Sequence, residues 1–189
     1  MEKIYKIVSG KEQEKNKEKG CLHLYYGNGK GKTTAAIGQM IRAAGAGKQV
    51  FMYQFLKNND SSERKVLSTI PGITCMKGKS CVKFTKDMTK EEKEINLEEN
   101  NQKLEEIFKK AKDYDVLVLD EALYAISLNQ LSEELLLQHL NERPEHQEVI
   151  LTGRKPSSAI IALADYCSHI QKEKHPFDEG LSGRRGIEF

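Results

Sequence analysis

Beyond Gly20 the apolar residues gather into short runs, as in CLHLYY, QVFMYQF, VLVLDE and EVILTGR, and between these runs apolar positions recur every three or four residues. Short apolar runs bounded by turn formers predict strands buried on both faces, whereas a period near 3.6 predicts helices. Strands are expected at 21–26, 49–55, 73–76, 116–121, 148–154 and 166–170. The first helix follows the glycine-rich GNGKGKTT, carries its apolar stripe on Ile37, Met40, Ile41 and Ala44, and is stopped by Gly45 and Gly47. Thr89 and Glu92 have the spacing of a capping box, and Leu104, Ile107, Phe108 and Ala111 continue one long helix to about Lys112. Two shorter helices, LSEELLLQHL ahead of Pro144 and residues 157–164, complete the pattern, while KNNDSSE, residues 78–88 and the C-terminal tail read as loops. Alternating strands and helices indicate an α/β fold, a mainly parallel sheet flanked by helices in a single domain spanning 20–189. Residues 1–19 include KEQEKNKEK, a charged tract with nothing to bury, and are expected to form a lead-in that is mobile or caps the active site.

Composition narrows the partners. The 189 residues hold 30 Lys+Arg against 28 Asp+Glu, a formal charge of +2. That balance argues against nucleic acid or an anionic membrane as the principal partner. The chain has no bilayer-length apolar stretch and no signal-like start, so a cytoplasmic location is expected. Cys21, Cys75, Cys81 and Cys167 form no C-x-x-C pair, and reduced, mostly packed thiols are expected.

The candidate chemistry begins at Gly27, Asn28, Gly29, Lys30, Gly31, Lys32, Thr33 and Thr34, which join a strand to a helix. Glycines let backbone N–H groups turn inward, the helix start presents unsatisfied donors, and Lys32 can reach over phosphates, so the segment suits a polyphosphate. Thr33 stands where a P-loop offers a hydroxyl to Mg²⁺. Only three residues separate Gly27 from Gly31, one fewer than in G-x-x-x-x-G-K-[ST]. The second half of such a site is VLVLDE, whose Asp120 and Glu121 end a buried strand at the edge where open parallel sheets bind ligands. Either acid is a candidate Mg²⁺ ligand, and spacing does not choose between them. Gln54 and Lys57 end the second strand on the same edge.

In this order, GNGKGKTTAAIGQMIRAAGAGKQV, QFLK, VLVLDE, TGR, KHPFDEG and RRGIEF make residues 20–189 resemble the ATP:corrinoid adenosyltransferase family of the CobA/BtuR/CobO type. The resemblance implies a P-loop nucleotide hydrolase-like, RecA-like fold. It also implies transfer of the 5′-deoxyadenosyl group of ATP to the Co(I) of a corrinoid, with triphosphate as the leaving group. Residues 27–34 then match the phosphate cradle, Lys32, Thr33, Glu121 and Phe84 the catalytic set, and Thr33 with Asp120 or Glu121 the Mg²⁺ environment. Arg42 matches a nucleotide contact or is a solvent-facing arginine, and Glu63 matches an acid near the site or simply starts a helix. Arg154 of TGR is suited to a phosphate or a corrin side chain or belongs to a structural turn, and His175 is suited to orienting the corrinoid or shaping its loop. Arg184 and Arg185 read as surface charges or contacts to corrin amides. A homodimer and an electron donor such as a flavoprotein or reduced flavin are implied as partners.

The chain departs from the family pattern at the segment that shields the lower corrin face. Phe84 in KFTK matches the first aromatic of a G-F-T-W-like motif, but Lys83 replaces its glycine, Lys86 replaces its tryptophan, and the chain has no Trp. Either Phe84 suffices, or another aromatic such as Phe177 substitutes, or cobalt activation is weakened. Two rival readings remain at this level: an ATPase or kinase acting on the γ-phosphate, and a non-catalytic nucleotide or corrinoid binder, which Lys86 favours.

Overall fold

A run such as VLVLD, apolar at every position, needs cover on both faces, and the chain supplies it by placing helices on either side of one sheet. The computed structural model describes residues 19–79 and 82–188, so the charged tract through residue 18 and Cys81 lie outside the described residues. The elements in order are β1 (Leu22–Tyr26), α1 (Lys32–Gly45), β2 (Val50–Gln54), α2 (Ser62–Leu67), β3 (Ile73–Cys75), α3 (Lys90–Ala111), β4 (Val116–Asp120), α4 (Ala122–Ser127), α5 (Glu133–Glu142), β5 (Glu148–Gly153), α6 (Ser158–Leu163) and β6 (Tyr166–His169). The sheet has six strands in the order β3-β2-β4-β5-β1-β6, and every neighbouring pair is parallel. All strands therefore end at one edge, where the loops gather.

Strand alternation sorts the core into two layers. Val116 and Val118 of β4 join Val50, Met52 and Ile150 beneath Ala36, Met40 and Ala43 of α1. Leu117 and Leu119 face the opposite way, toward Leu104 and Ile107 of α3, Leu123 of α4, Leu136 and Leu140 of α5 and Ile160 of α6. Each fully buried leucine contributes about 1.5–3 kcal/mol of apolar transfer. The capping box is formed: Glu92 N–H donates to Thr89 Oγ1 at 3.2 Å, and Thr89 N–H donates to Glu92 Oε2 at 2.7 Å. Among the described residues, no helix is long and apolar enough to cross a membrane.

Three expectations need correction. On α1 Met40 is buried and Ile37 and Ala44 pack partly buried against the core as expected, but Ile41 is 46% exposed and Ala36 and Ala43 take its place, because close packing on the sheet favours small side chains there. KNNDSSE is not loop throughout, since α2 starts inside it at Ser62. Cys21 and Cys75 are half-buried and Cys167 is exposed on the edge strand, so the described thiols are not core residues.

Gly153 closes the sheet against α4. Its φ is 150°, and a Cβ there would stand 2.4 Å from the backbone nitrogen of Tyr124. Gly153→Ala combines overpacking with a strained backbone and is expected to cost roughly 2–4 kcal/mol. Denaturant unfolding of the variant measures the loss, and a cost below ~0.5 kcal/mol would show that α4 can retreat freely.

Candidate functional site

The loop from Gly27 to Gly31 is pinned from below. Gly27 N–H donates to Gly153 O at 3.1 Å, Gly29 N–H donates to Ile170 O at 2.9 Å, and Asn28 Oδ1 accepts from Lys172 N–H at 2.9 Å. The side chain of Asn28 thus anchors the loop to the segment after β6, and the two glycine amides are already engaged. Donors for an anion are instead the first-turn amides of α1, where the N-cap is Gly31 with φ 118° and no side chain caps the helix. A 14-residue helix with an uncapped start offers both free N–H groups and the positive end of its dipole. Lys32 curls over this spot, donating to Gly29 O at 2.8 Å. Burial pulls its ammonium below the ordinary lysine range, and Glu121 opposes that pull.

Behind the loop lies a buried polar knot centred on Asp120, which is 0% exposed. Its Oδ1 accepts from Thr33 Oγ1 at 2.8 Å and from Thr152 Oγ1 at 2.6 Å, and its Oδ2 accepts from Lys57 Nζ at 2.7 Å and Gln54 Nε2 at 3.1 Å. Burial would raise this carboxyl, but the Lys57 charge and hydrogen bond, helped by Thr152 and Gln54, hold it below the ordinary range. Lys57 is raised in turn, because Asp120 outweighs the cost of burying the ammonium. Glu63 stands one layer further back, where its Oε1 accepts from Gln54 Nε2 at 2.8 Å.

Glu121 behaves differently from its neighbour. It adopts φ 60°, uncommon for a residue with a side chain, and its N–H donates to Thr152 Oγ1 at 2.9 Å. Burial, and then the charge of Asp120, raise its carboxyl above the ordinary range. This residue borders two cavities. One, of about 410 Å³, is lined by residues 28–34 together with Arg154, His175, Phe177, Leu181 and Ile187. The other, of about 920 Å³, is lined by Lys57, Phe84, Lys86, Tyr124, Leu128 and Arg185 among others, and again by Glu121 and Arg154. Arg154 lies over the Tyr124 ring at 4.7 Å.

The structure therefore brings together Asn28 to Thr34, Glu121, Arg154 and His175 at the smaller cavity, and Phe84 at the larger. His175 shapes its own turn, its Nδ1 accepting from Phe177 N–H at 3.2 Å. Arg42 is not brought there. It lies exposed ten residues past Lys32, about 15 Å along the helix axis, and lines neither cavity. Gln54 is buried in the knot and lines neither cavity, and Arg184 pairs with Glu188 at 3.0 Å. The residues sequence reasoning missed are Tyr124 and Leu128, Thr152, and the apolar tail residues Leu181 and Ile187. The four-residue spacing of Tyr124 and Leu128 was the available signal for the first pair. Among the described residues no three His, Cys, Asp or Glu side chains converge on a metal-sized site.

A parallel sheet whose first strand feeds a glycine loop into a helix start, beside a buried aspartate and its threonine, defines a P-loop nucleotide-binding protein. The fold alone is shared with the KaiC-like protein PH0186 from Pyrococcus horikoshii OT3, at a TM-score of 0.56 and 20% identity over 83% of this chain and 75% of that one. Corrinoid adenosyltransferases are much nearer in sequence. Those of Escherichia coli K12 and Salmonella typhimurium LT2 are each 33% identical over 194 residues, covering 100% of this chain and 95% of theirs. The one from Pseudomonas aeruginosa PAO1 is 30% identical over 100% of this chain and 93% of its own length. Residues 18–189 match the family model for ATP:corrinoid adenosyltransferase BtuR/CobO/CobP, and the chain belongs to that family. It is an enzyme that transfers the adenosyl group of ATP to a corrinoid.

The adjacent like charges of buried Asp120 and half-buried Glu121 have a stability consequence. Because the folded-state pKa of Glu121 is raised, its ionisation costs stability above that pKa and nothing below the ordinary carboxylate range. At pH 7 Glu121→Gln should therefore raise the Tm of the ligand-free protein, with the gain vanishing toward about pH 4. A thermal-melt series across pH checks this, and a lowered Tm at pH 7 would mean that the carboxylate is stabilising.

Proposed function

We propose that the smaller cavity holds the triphosphate of ATP, that the larger seats the corrinoid, and that the ribose 5′ carbon lies at their common border. The observation carrying this reading is that Glu121 and Arg154 line both cavities. Nucleophilic Co(I) attacks the 5′ carbon from the larger side as the bond to the α-phosphate oxygen breaks, so the triphosphate departs whole. Negative charge grows on that oxygen, next to the uncapped amides of α1 and the ammonium of Lys32, which stabilise the leaving group without moving.

Mg²⁺ fits the residues present. Magnesium is content with one or two protein oxygens plus phosphates and water, and a threonine hydroxyl and an acid stand at the phosphate loop. Asp120 already accepts from four donors, so we assign it to positioning Thr33 and Lys57. Glu121, whose carboxylate accepts no hydrogen bond among the described residues and which lines both cavities, is with Thr33 the residue that would hold the ion. When bound, the ion would supply Lewis-acid neutralisation of the triphosphate.

Phe84 is 75% exposed and borders the larger cavity, where its ring is suited to exclude an axial ligand from the lower face of the corrin. Losing that donor eases reduction of Co(II). We further read the enzyme as a cytoplasmic homodimer supplied by an electron donor such as a flavoprotein or reduced flavin, as family membership suggests.

Anaerobic incubation with ATP, Mg²⁺ and Co(I) cobinamide tests the reading through its products, which should be triphosphate and adenosylated corrinoid in equal amounts. Lys32→Ala should lower kcat by about 10²–10³-fold. ADP or phosphate released without alkylation of cobalt would overturn the assignment. Phe84→Ala should lose little when Co(I) is supplied and at least about tenfold when the assay starts from Co(II) and a reductant. Equal losses in the two assays would remove Phe84 from cobalt activation.

A further inference from the structure

The wall of the larger cavity carries more positive charge than a neutral ring needs. Lys57, Lys83, Lys86, Arg154 and Arg185 line it, against only Asp60 and Glu121. Two of these cations are already committed, Lys57 to Asp120 at 2.7 Å and Lys83 to Glu92 at 2.7 Å. Lys86, Arg154 and Arg185 have no ion-pair partner among the described residues. Lys86 instead sits 5.8 Å from the centroid of the Phe84 ring, and Arg154 sits 4.7 Å from that of Tyr124. An aromatic face holds a cation in place through its quadrupole while leaving N–H donors free for a ligand.

Corrinoids differ in how many of their peripheral acetate and propionate arms are amidated. A fully amidated ring closing on this wall would desolvate several cations and return only neutral dipoles. Carboxylate arms return charge-assisted hydrogen bonds and cancel the field. We propose that the larger cavity selects corrinoids bearing free peripheral carboxylates, with Lys86 and Arg185 as the specificity-determining residues. This inference rests on reading that cavity as the corrinoid seat. Arg154 also borders the nucleotide cavity and is left out of the test for that reason.

The test compares two corrinoids without a nucleotide base, both reduced to Co(I) beforehand: cobyrinic acid, whose arms are all carboxylates, and cobinamide, whose arms are all amides. With the full chain, ATP and Mg²⁺ at low salt, kcat/KM should favour cobyrinic acid by about tenfold, at about three- to fivefold per cation. The difference should lie mainly in KM and should shrink at high salt. The double variant Lys86→Gln, Arg185→Gln should bring the ratio to within about twofold, whereas Lys86→Arg should keep most of the preference. A wild-type ratio within about twofold, or a double variant that weakens both corrinoids equally, would overturn the selection while leaving the seat intact. Failure to adenosylate either corrinoid would overturn the seat and the selection together.

Discussion

A single buried carboxylate ties together the phosphate loop and the ends of β2 and β5. Asp120 ends β4 with no exposure to water, a position tolerable for an ionised group only if it is fully paired. Its partners come from the helix start after β1, from the end of β2 and the loop beyond it, and from β5. Buried pairs of this kind contribute little net stability against an apolar alternative, but leaving one partner alone costs about 3–5 kcal/mol. The knot therefore acts as a specification. Thr33, Lys57 and Thr152 can satisfy Asp120 together only when the phosphate loop, the second strand and the fifth are in register.

The same arrangement explains why two adjacent acids have opposite characters. Asp120 faces inward and is surrounded by donors, so its charge is stabilised, while Glu121 is turned by a left-handed backbone toward the cavities and feels its neighbour as a like charge. Backbone strain of roughly 1–3 kcal/mol at such a residue persists only where the surroundings hold it. Here Thr152 supplies the hold, its hydroxyl accepting the Glu121 N–H while donating to Asp120. The result is a carboxylate that accepts no hydrogen bond among the described residues, at the border of the two cavities.

Much of this is legible in the sequence. The strands, the long capped helix and the glycine loop follow from apolar period and turn chemistry, which are local properties. The face of α1 was legible only in part, because Ala36 and Ala43 compete poorly with Ile41 on any hydrophobicity scale yet fit better against a sheet at close range. Nor could the sequence separate Asp120 from Glu121, since the difference lies in one backbone dihedral and in partners 32 to 87 residues away. Nor was it legible that Asn28, besides lining the smaller cavity, accepts from Lys172 N–H 144 residues away and so ties the loop to the segment after β6.

The two halves of the site are built under unequal constraint. The floor of the smaller cavity consists of sheet ends and a helix start locked by buried hydrogen bonds, so a change there disturbs the fold, whereas its rim is the exposed C-terminal tail. The larger cavity, which we propose as the corrinoid seat, draws Lys83, Phe84 and Lys86 from the segment between β3 and α3, where Phe84 and its lysine neighbours are exposed. Exposed loop positions exchange charge for apolar surface at small cost in stability. Lysines can therefore stand where the family resemblance leads one to expect a glycine and a tryptophan without perturbing the phosphate cradle. On this view the fold dictates the grip on ATP, while the loop tunes which corrinoid is accepted and how readily its cobalt is reduced.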